Sequence, residues 1–296
     1  MKPIDLNKRR ASKLHEQGEK LSDEGRTSEA IEKYLEAIAC DPSKSESYYN
    51  IGLLYKYQGE WEKSFDFNQK ANELDPEDEA ARWNLAIAAT ALRRWEVARK
   101  KWRENGLPIA GTGGPIEMDL GITPVRLNPD DAGEVVWATR IDPARAKIES
   151  IPFPESGFRY GDVVLNDGAA VGYRQVGGRE VPVLNVLELF ERSEFETYVA
   201  HVQAEDPSDL ESLQRIFSGS HSSVEDWTVN TRTLCRQCSE GRPHEHHDHE
   251  LEKEWSVEHR LGIAVHPTDD VRQLLEQWEA ASQGKVLSIE VGYNPE

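Results

Sequence analysis

The sequence predicts a multidomain chain of the α plus α+β type. An N-terminal α-solenoid of helix pairs is followed by a small β-rich module and then a mixed segment of strands and helices. Two observations carry this. Through the first third, residues recur at an interval of 34: Gly18 and Gly52, Leu21 and Tyr55, Ala37 and Ala71, Pro42 and Pro76. At about residue 106 this helical periodicity stops, and short runs with strand character begin.

The first unit spans residues 11–105, in three copies. Gly18, Gly52 and Ala86 fall where the first helix of each pair meets the second, opposite Ala30, Ser64 and Ala98. Small side chains at such positions let two backbones approach closely. Leu14, Leu21, Ile31, Tyr34 and Ile38 fill the seam at three-to-four spacing. Asp41-Pro42 and Asp75-Pro76 end the second helices, because proline cannot extend a helix and restricts the residue before it. The third copy continues with Leu85, Ala98 and Trp102.

This pattern resembles the tetratricopeptide repeat (TPR) of bacterial-type proteins, over about a third of the chain. The resemblance implies a curved solenoid of three helix pairs whose first helices line a concave binding face. Carried over by position, the partner-binding residues are His15, Tyr49, Asn50, Leu53, Trp83, Asn84 and Ile87, with Glu19, Glu46, Lys56 and Tyr57 beside them. The chaperone-binding subclass holds a terminal carboxylate with lysines, arginines and asparagines. Asn50 keeps one such position, but Ser12, Glu16, Ala80 and Asn84 stand at four others. The groove therefore suits a hydrophobic helix or extended peptide of another protein. The last repeat has no evident cap after Asn105, so Tyr49 and Trp83 packing on the chain's own later modules is the competing expectation.

Residues 106–117 read as a linker, with glycines and prolines from Gly106 to Pro115. Residues 118–194 form the β-rich module, expected as a small barrel or rolled sheet of SH3-like size. Its strands are Val135–Ile141, Lys147–Phe153, Gly161–Leu165, Gly172–Val176 and Val181–Leu184, with turns at Asn166-Asp167-Gly168 and Gly177-Gly178. Residues 195–296 read as βαββαβ, the ferredoxin-like arrangement. Its strands are near 196–203, 224–234, 255–265 and 286–291, with a capping box at Ser208–Glu211 and a helix capped by Thr268.

One cluster carries site chemistry. In an insertion at 235–254 stand Cys235 and Cys238, then His244, His246, His247 and His249. A CxxC turn brings two thiolates to one ion, and imidazoles can complete a zinc tetrahedron, here from among His244, His246 and His247. Structural zinc is the expected cofactor. A solvated metal-free loop and a redox-active CxxC are the alternatives. His201, His259 and His266 read as packed or edge residues, and Cys40 as a small core residue. Gly111-Thr112-Gly113-Gly114 lacks the lysine and helix of a phosphate loop.

Composition bounds the function. The net charge of -19 is uneven: residues 1–107 hold 19 basic and 20 acidic side chains, and the rest hold 16 and 34. Such an acidic C-terminal portion is repelled by phosphate backbones, so nucleic acid is not an expected partner. The basic cluster Arg93, Arg94, Arg99, Lys100, Lys101 and Arg103 reads as a solvated face of the last helix. No run approaches the roughly eighteen apolar residues of a membrane helix. The expected location is the cytoplasm. No nucleophile–base spacing occurs, so the expected function is a non-enzymatic adaptor or scaffold. The alternatives are a zinc-dependent hydrolase with Glu245 or Glu250 as base, and a small-ligand-sensing regulatory protein.

Overall fold

The computed structural model describes residues 6–131, 133–176, 178–228 and 255–293. The chain forms two compact units, Met1–Glu117 and Met118–Glu296.

The first unit contains helices α1 (Leu6–Asp23), α2 (Thr27–Cys40), α3 (Ser45–Tyr57), α4 (Trp61–Leu74), α5 (Glu79–Ala91) and α6 (Trp95–Glu104). Each pair turns through a left-handed residue: Gly25 at φ 74°, Gly59 at φ 70° and Arg93 at φ 56°. The following amide reaches back to close the first helix, from Arg26 to Leu21, Glu60 to Tyr55 and Arg94 to Ala89. Asp41 and Asp75 end α2 and α4 in extended conformations, and their carboxylates accept amide protons from Ser43 and Glu77. The prolines that follow make these stops sharp.

The close approach within each pair is real, but its partner differs from the expected one. A Cβ on Gly18 would lie 2.6–2.9 Å from the Tyr34 ring, and one on Gly52 would collide with the Asn68 amide. Ser64 Oγ, meanwhile, donates to the Gly52 carbonyl at 2.8 Å. The glycine thus makes room for a large side chain one turn beyond the small residue.

The basic face of α6 is not simply solvated. Arg99 is buried at 4% exposure. Its guanidinium donates to the carbonyls of Ala110, Gly113, Gly114 and Pro115. Arg103 adds the carbonyls of Ile109 and Gly111. Arg94 pairs with Glu62 at 2.6 Å and lies over the Phe65 ring. Residues 106–115, read from sequence as a linker, are therefore fastened to the last helix. A single guanidinium, with five donors in a fixed fork, satisfies several backbone acceptors at once.

In the second unit, β1 (Ile122–Leu127), β2 (Glu134–Arg140), β3 (Arg145–Ile148), β4 (Val163–Val176) and β5 (Arg179–Glu191) close into a barrel. Closure comes from parallel pairing of β1 with β5 at Val125↔Leu184 and Arg126↔Asn185. Val125, Leu127, Val136, Ala138, Ile148 and Val164 fill the interior. Three details depart from the sequence reading. Strand β1 was not anticipated, because Pro124 interrupts its alternation. The strand expected at 147–153 ends at Ile148, and Pro154–Ser156 form a 3-10 turn. Asn166-Asp167-Gly168 makes no turn; it lies within β4, where the register to β5 shifts between Asn166 and Ala170. Local hydrogen bonding by the Asn and Asp side chains here bulges a strand instead of reversing it.

The remaining elements are β6 (Glu196–Gln203), α7 (Pro207–Ser218), β7 (Ser223–Asp226), β8 (Glu258–Val265), α8 (Val271–Ala281) and β9 (Lys285–Tyr293). The sheet order is β7-β8-β6-β9, with every neighbouring pair antiparallel. Ala200, Val202, Leu261 and Ile263 face Leu213, Phe217, Leu275 and Trp278 of the helices. The opposite face meets the barrel. Val199, Ala264 and Trp227 cluster with Ile151, and the Trp227 indole donates to the Ile151 carbonyl at 3.2 Å. Both expected caps move: Asp206, with Pro207 after it, caps α7, and Asp270 caps α8. Thr268 instead bonds His266. The strand expected from Val224 to Leu234 ends at Asp226, with Trp227 and Thr228 in a turn and the rest outside the described residues; the one expected from Trp255 starts at Glu258. Trp255 precedes that strand and donates to the Ala204 carbonyl.

Left-handed backbone disfavours a side chain by about 1–2 kcal/mol per residue. Gly59→Ala should therefore lower unfolding stability by about 1 kcal/mol, whereas Arg93→Gly should raise it by up to about 1 kcal/mol. Urea titration followed by circular dichroism at 222 nm measures both, and equal effects of the two substitutions would contradict the turn assignment.

Candidate functional site

The first helices of the three pairs are bonded directly to one another. His15 Nδ1 on α1 lies 2.9 Å from Ser47 Oγ on α3. Lys56 Nζ on α3 donates to Asn84 Oδ1 on α5 at 3.1 Å. Helices α1, α3 and α5 consequently line one continuous face, as the repeat resemblance implied.

The expected partner-binding residues divide by exposure. His15, Asn84 and Ile87 are buried, and Ile87 is completely so. Tyr49, Asn50, Leu53 and Trp83 are half-buried. Trp83 stacks edge-on against Trp102 of α6, with ring centroids 4.8 Å apart. Tyr57 is 59% exposed, and the ammonium of Lys56 sits 4.5 Å from its ring centre. The surface open to a ligand is thus centred on α3, with Tyr49, Leu53 and Tyr57 at three-to-four spacing. Lys56 itself is 3% exposed and works between helices.

Carboxylates border this apolar strip. Glu16, Glu19 and Asp23 follow one another on exposed turns of α1, and Glu46 opens α3. His15 Nε2 lies 3.3 Å from Glu19. Burial holds the His15 imidazole below its ordinary pKa, with Lys44 pushing the same way and Glu19 and Glu46 opposing. The Tyr34 hydroxyl bonds the Asn50 side chain, and its pKa is pushed up to about 12, chiefly by burial and also by Glu19 and Asp23. Ser47 was not among the residues singled out from sequence, and Tyr34 was read there only as a seam residue. Nothing marked Ser47, whose hydroxyl matters only because His15 faces it.

Comparison with known proteins finds the same repeat in the sequence. A family model described as a TPR repeat matches residues 18–59. Those residues carry a TPR repeat. Human "Tetratricopeptide repeat protein 6" is 33% identical over 70 residues, 24% of this chain and 14% of that protein. "Photosystem I assembly protein Ycf3" of Cyanophora paradoxa is 31% identical over 88 residues, 29% of this chain and 51% of the relative. The chain thus spans about half or less of the length of the curated relatives it matches. Among solved structures, the first TPR domain of Spaghetti (RPAP3), bound to the HSP90 peptide SRMEEVD, is 24% identical with a TM-score of 0.32, covering 34% of this chain and 80% of that one. MamA is 22% identical with a TM-score of 0.31, covering 32% and 55%.

The expected metal ligands Cys235, Cys238, His244, His246 and His247 lie outside the described residues. Among the described residues, no group of three or more His, Cys, Asp or Glu side chains is placed to hold a metal. His259 is buried, with Nδ1 2.8 Å from Asp226 Oδ2. Cys40, expected in a core, is a half-buried free thiol at the end of α2.

Because His15 has a lowered pKa in the folded protein, its neutral form is favoured there. The resulting stability is present above the unfolded value of about 6.5 and is lost as pH falls below it. Between pH 7.5 and 5.5, the melting temperature of the wild type should fall more than that of His15→Gln. Parallel slopes in differential scanning calorimetry would refute the assignment.

Proposed function

We propose that this TPR protein is a non-enzymatic adaptor that grips a segment of another polypeptide on the face formed by α1, α3 and α5, and that it acts in the cytoplasm. The single observation supporting this most strongly is the lateral bonding His15–Ser47 and Lys56–Asn84, which joins three helices into one surface. Half-buried aromatic and aliphatic side chains, held by packing yet open on one side, are the material of binding hot spots. The peptide-bound Spaghetti domains lend this reading an analogy of function only. Within it, the barrel is read as SH3-like in size, and the C-terminal sheet as ferredoxin-like on the strength of the order β7-β8-β6-β9.

Zinc belongs to the same proposal. Cys235 and Cys238 with two of His244, His246 and His247 would make a closed set of four ligands, which suits structural metal. The support is the spacing alone.

Two measurements test these readings. Immunoprecipitation with quantitative mass spectrometry should recover a partner with the wild type and lose it with Tyr49→Ala/Leu53→Ala; identical recovery with both would remove the face from consideration. Metal analysis of protein purified without chelator should give one zinc per chain, and Cys235→Ser/Cys238→Ser should abolish it while leaving helical circular dichroism from the repeats intact. Full zinc content in the double variant would end the proposal.

A further inference from the structure

We infer that the segment held on the concave face is cationic and amphipathic, presenting lysine or arginine beside large apolar side chains. This rests on the adaptor reading and specifies its partner. The first ground is charge placement. The exposed acidic groups Glu16, Glu19, Asp23 and Glu46 border the strip formed by Tyr49, Leu53 and Tyr57. The side chains of Glu19 and Glu46 are 54% and 63% exposed. The cations nearest the strip offset them only in part. Lys56 is buried against Asn84, and Lys44 is 16% exposed and lies 3.7 Å from one Glu46 oxygen. His15 stands between Glu19 and Glu46, where burial favours its neutral form, so it adds little compensation near neutral pH.

The second ground is what the face excludes. A terminal carboxylate or acidic tail would meet four like charges, and the exposed positions Ser12 and Ala80 offer no cation to receive it. The overall charge of residues 1–107, 19 basic against 20 acidic, hides this asymmetry, because five of the bases lie on α6 or at its N-cap. There Arg99 and Arg103 bind backbone carbonyls and Arg94 pairs with Glu62. Electrostatic complementarity of this kind sets which partner is accepted and how salt weakens it.

The test uses the full chain and two fluorescein-labelled amphipathic 18-residue peptides, one of leucine and lysine and one of leucine and glutamate. Fluorescence anisotropy should show the lysine peptide binding at least tenfold more tightly, with the difference shrinking between 50 and 300 mM salt. Glu19→Gln/Glu46→Gln should weaken the lysine peptide three- to tenfold. Because the second unit is also acidic, Glu211→Gln/Glu276→Gln, which removes equal charge from that unit, serves as control and should change affinity less than twofold. Equal losses in the two double variants, or equal affinity for both peptides, would overturn the inference. If both peptides bind equally and both are lost in Leu53→Ala, the charge assignment fails while the adaptor face stands. If no binding responds to Leu53→Ala, the adaptor reading falls with it.

Discussion

The repeat array depends on hydrogen bonds that run sideways between the first helices of successive pairs. A solenoid has no central core, and each pair touches only its neighbours. Apolar packing between pairs fixes distance but tolerates sliding, because it is not directional. The bonds His15–Ser47 and Lys56–Asn84 are directional and buried, so a slip of one helix against the next would leave polar groups unpaired. They fix the register of α1, α3 and α5, and with it the spacing of Tyr49, Leu53 and Tyr57 on the shared face. The same residues that hold the face together are thereby withdrawn from contact with a ligand.

How much of this could be read from sequence varied with how local the cause was. The 34-residue interval and the Asp-Pro stops are local and were legible. The intra-pair turns were less so. Gly25 and Gly59 keep the interval, but Arg93 occupies the third left-handed position and breaks the pattern a reader would look for. Arg99 was misread because its charge suggests solvent, while six carbonyls along residues 109–115 converge on it and Arg103. In the barrel, Pro124 disguised a strand whose proline lies next to a parallel pairing partner. Asn166-Asp167-Gly168 disguised a bulge as a turn. Each cap of the second unit moved by two residues, to Asp206 and Asp270, because aspartate at those positions reaches the free amides directly.

The candidate face shows the same division. Its position followed from the repeat phase, and its aromatic residues were legible. Its accessibility was not, since burial of His15, Asn84 and Ile87 depends on neighbours brought up by tertiary packing. In the second unit, the barrel and the sheet share a cluster around Ile151, Val199 and Trp227, with Gly262 leaving room for the indole. No periodicity in either module announces that cluster, because each contributes only a few residues to it.

The clasp of Arg99 and Arg103 on residues 109–115 has a consequence for how such a chain could grow. Repeat proteins lengthen by duplication of whole units, and a new pair must stack where the old end was exposed. Here the segment that follows the last helix is held against it through backbone carbonyl acceptors. Drift in residues 109–115 is limited at Gly111 and Gly114, whose backbones are left-handed, and at the buried Ile109, and a fourth pair inserted after α6 would have to displace this clasp. Two side chains of the last helix thus tie down the segment that a new pair would have to replace.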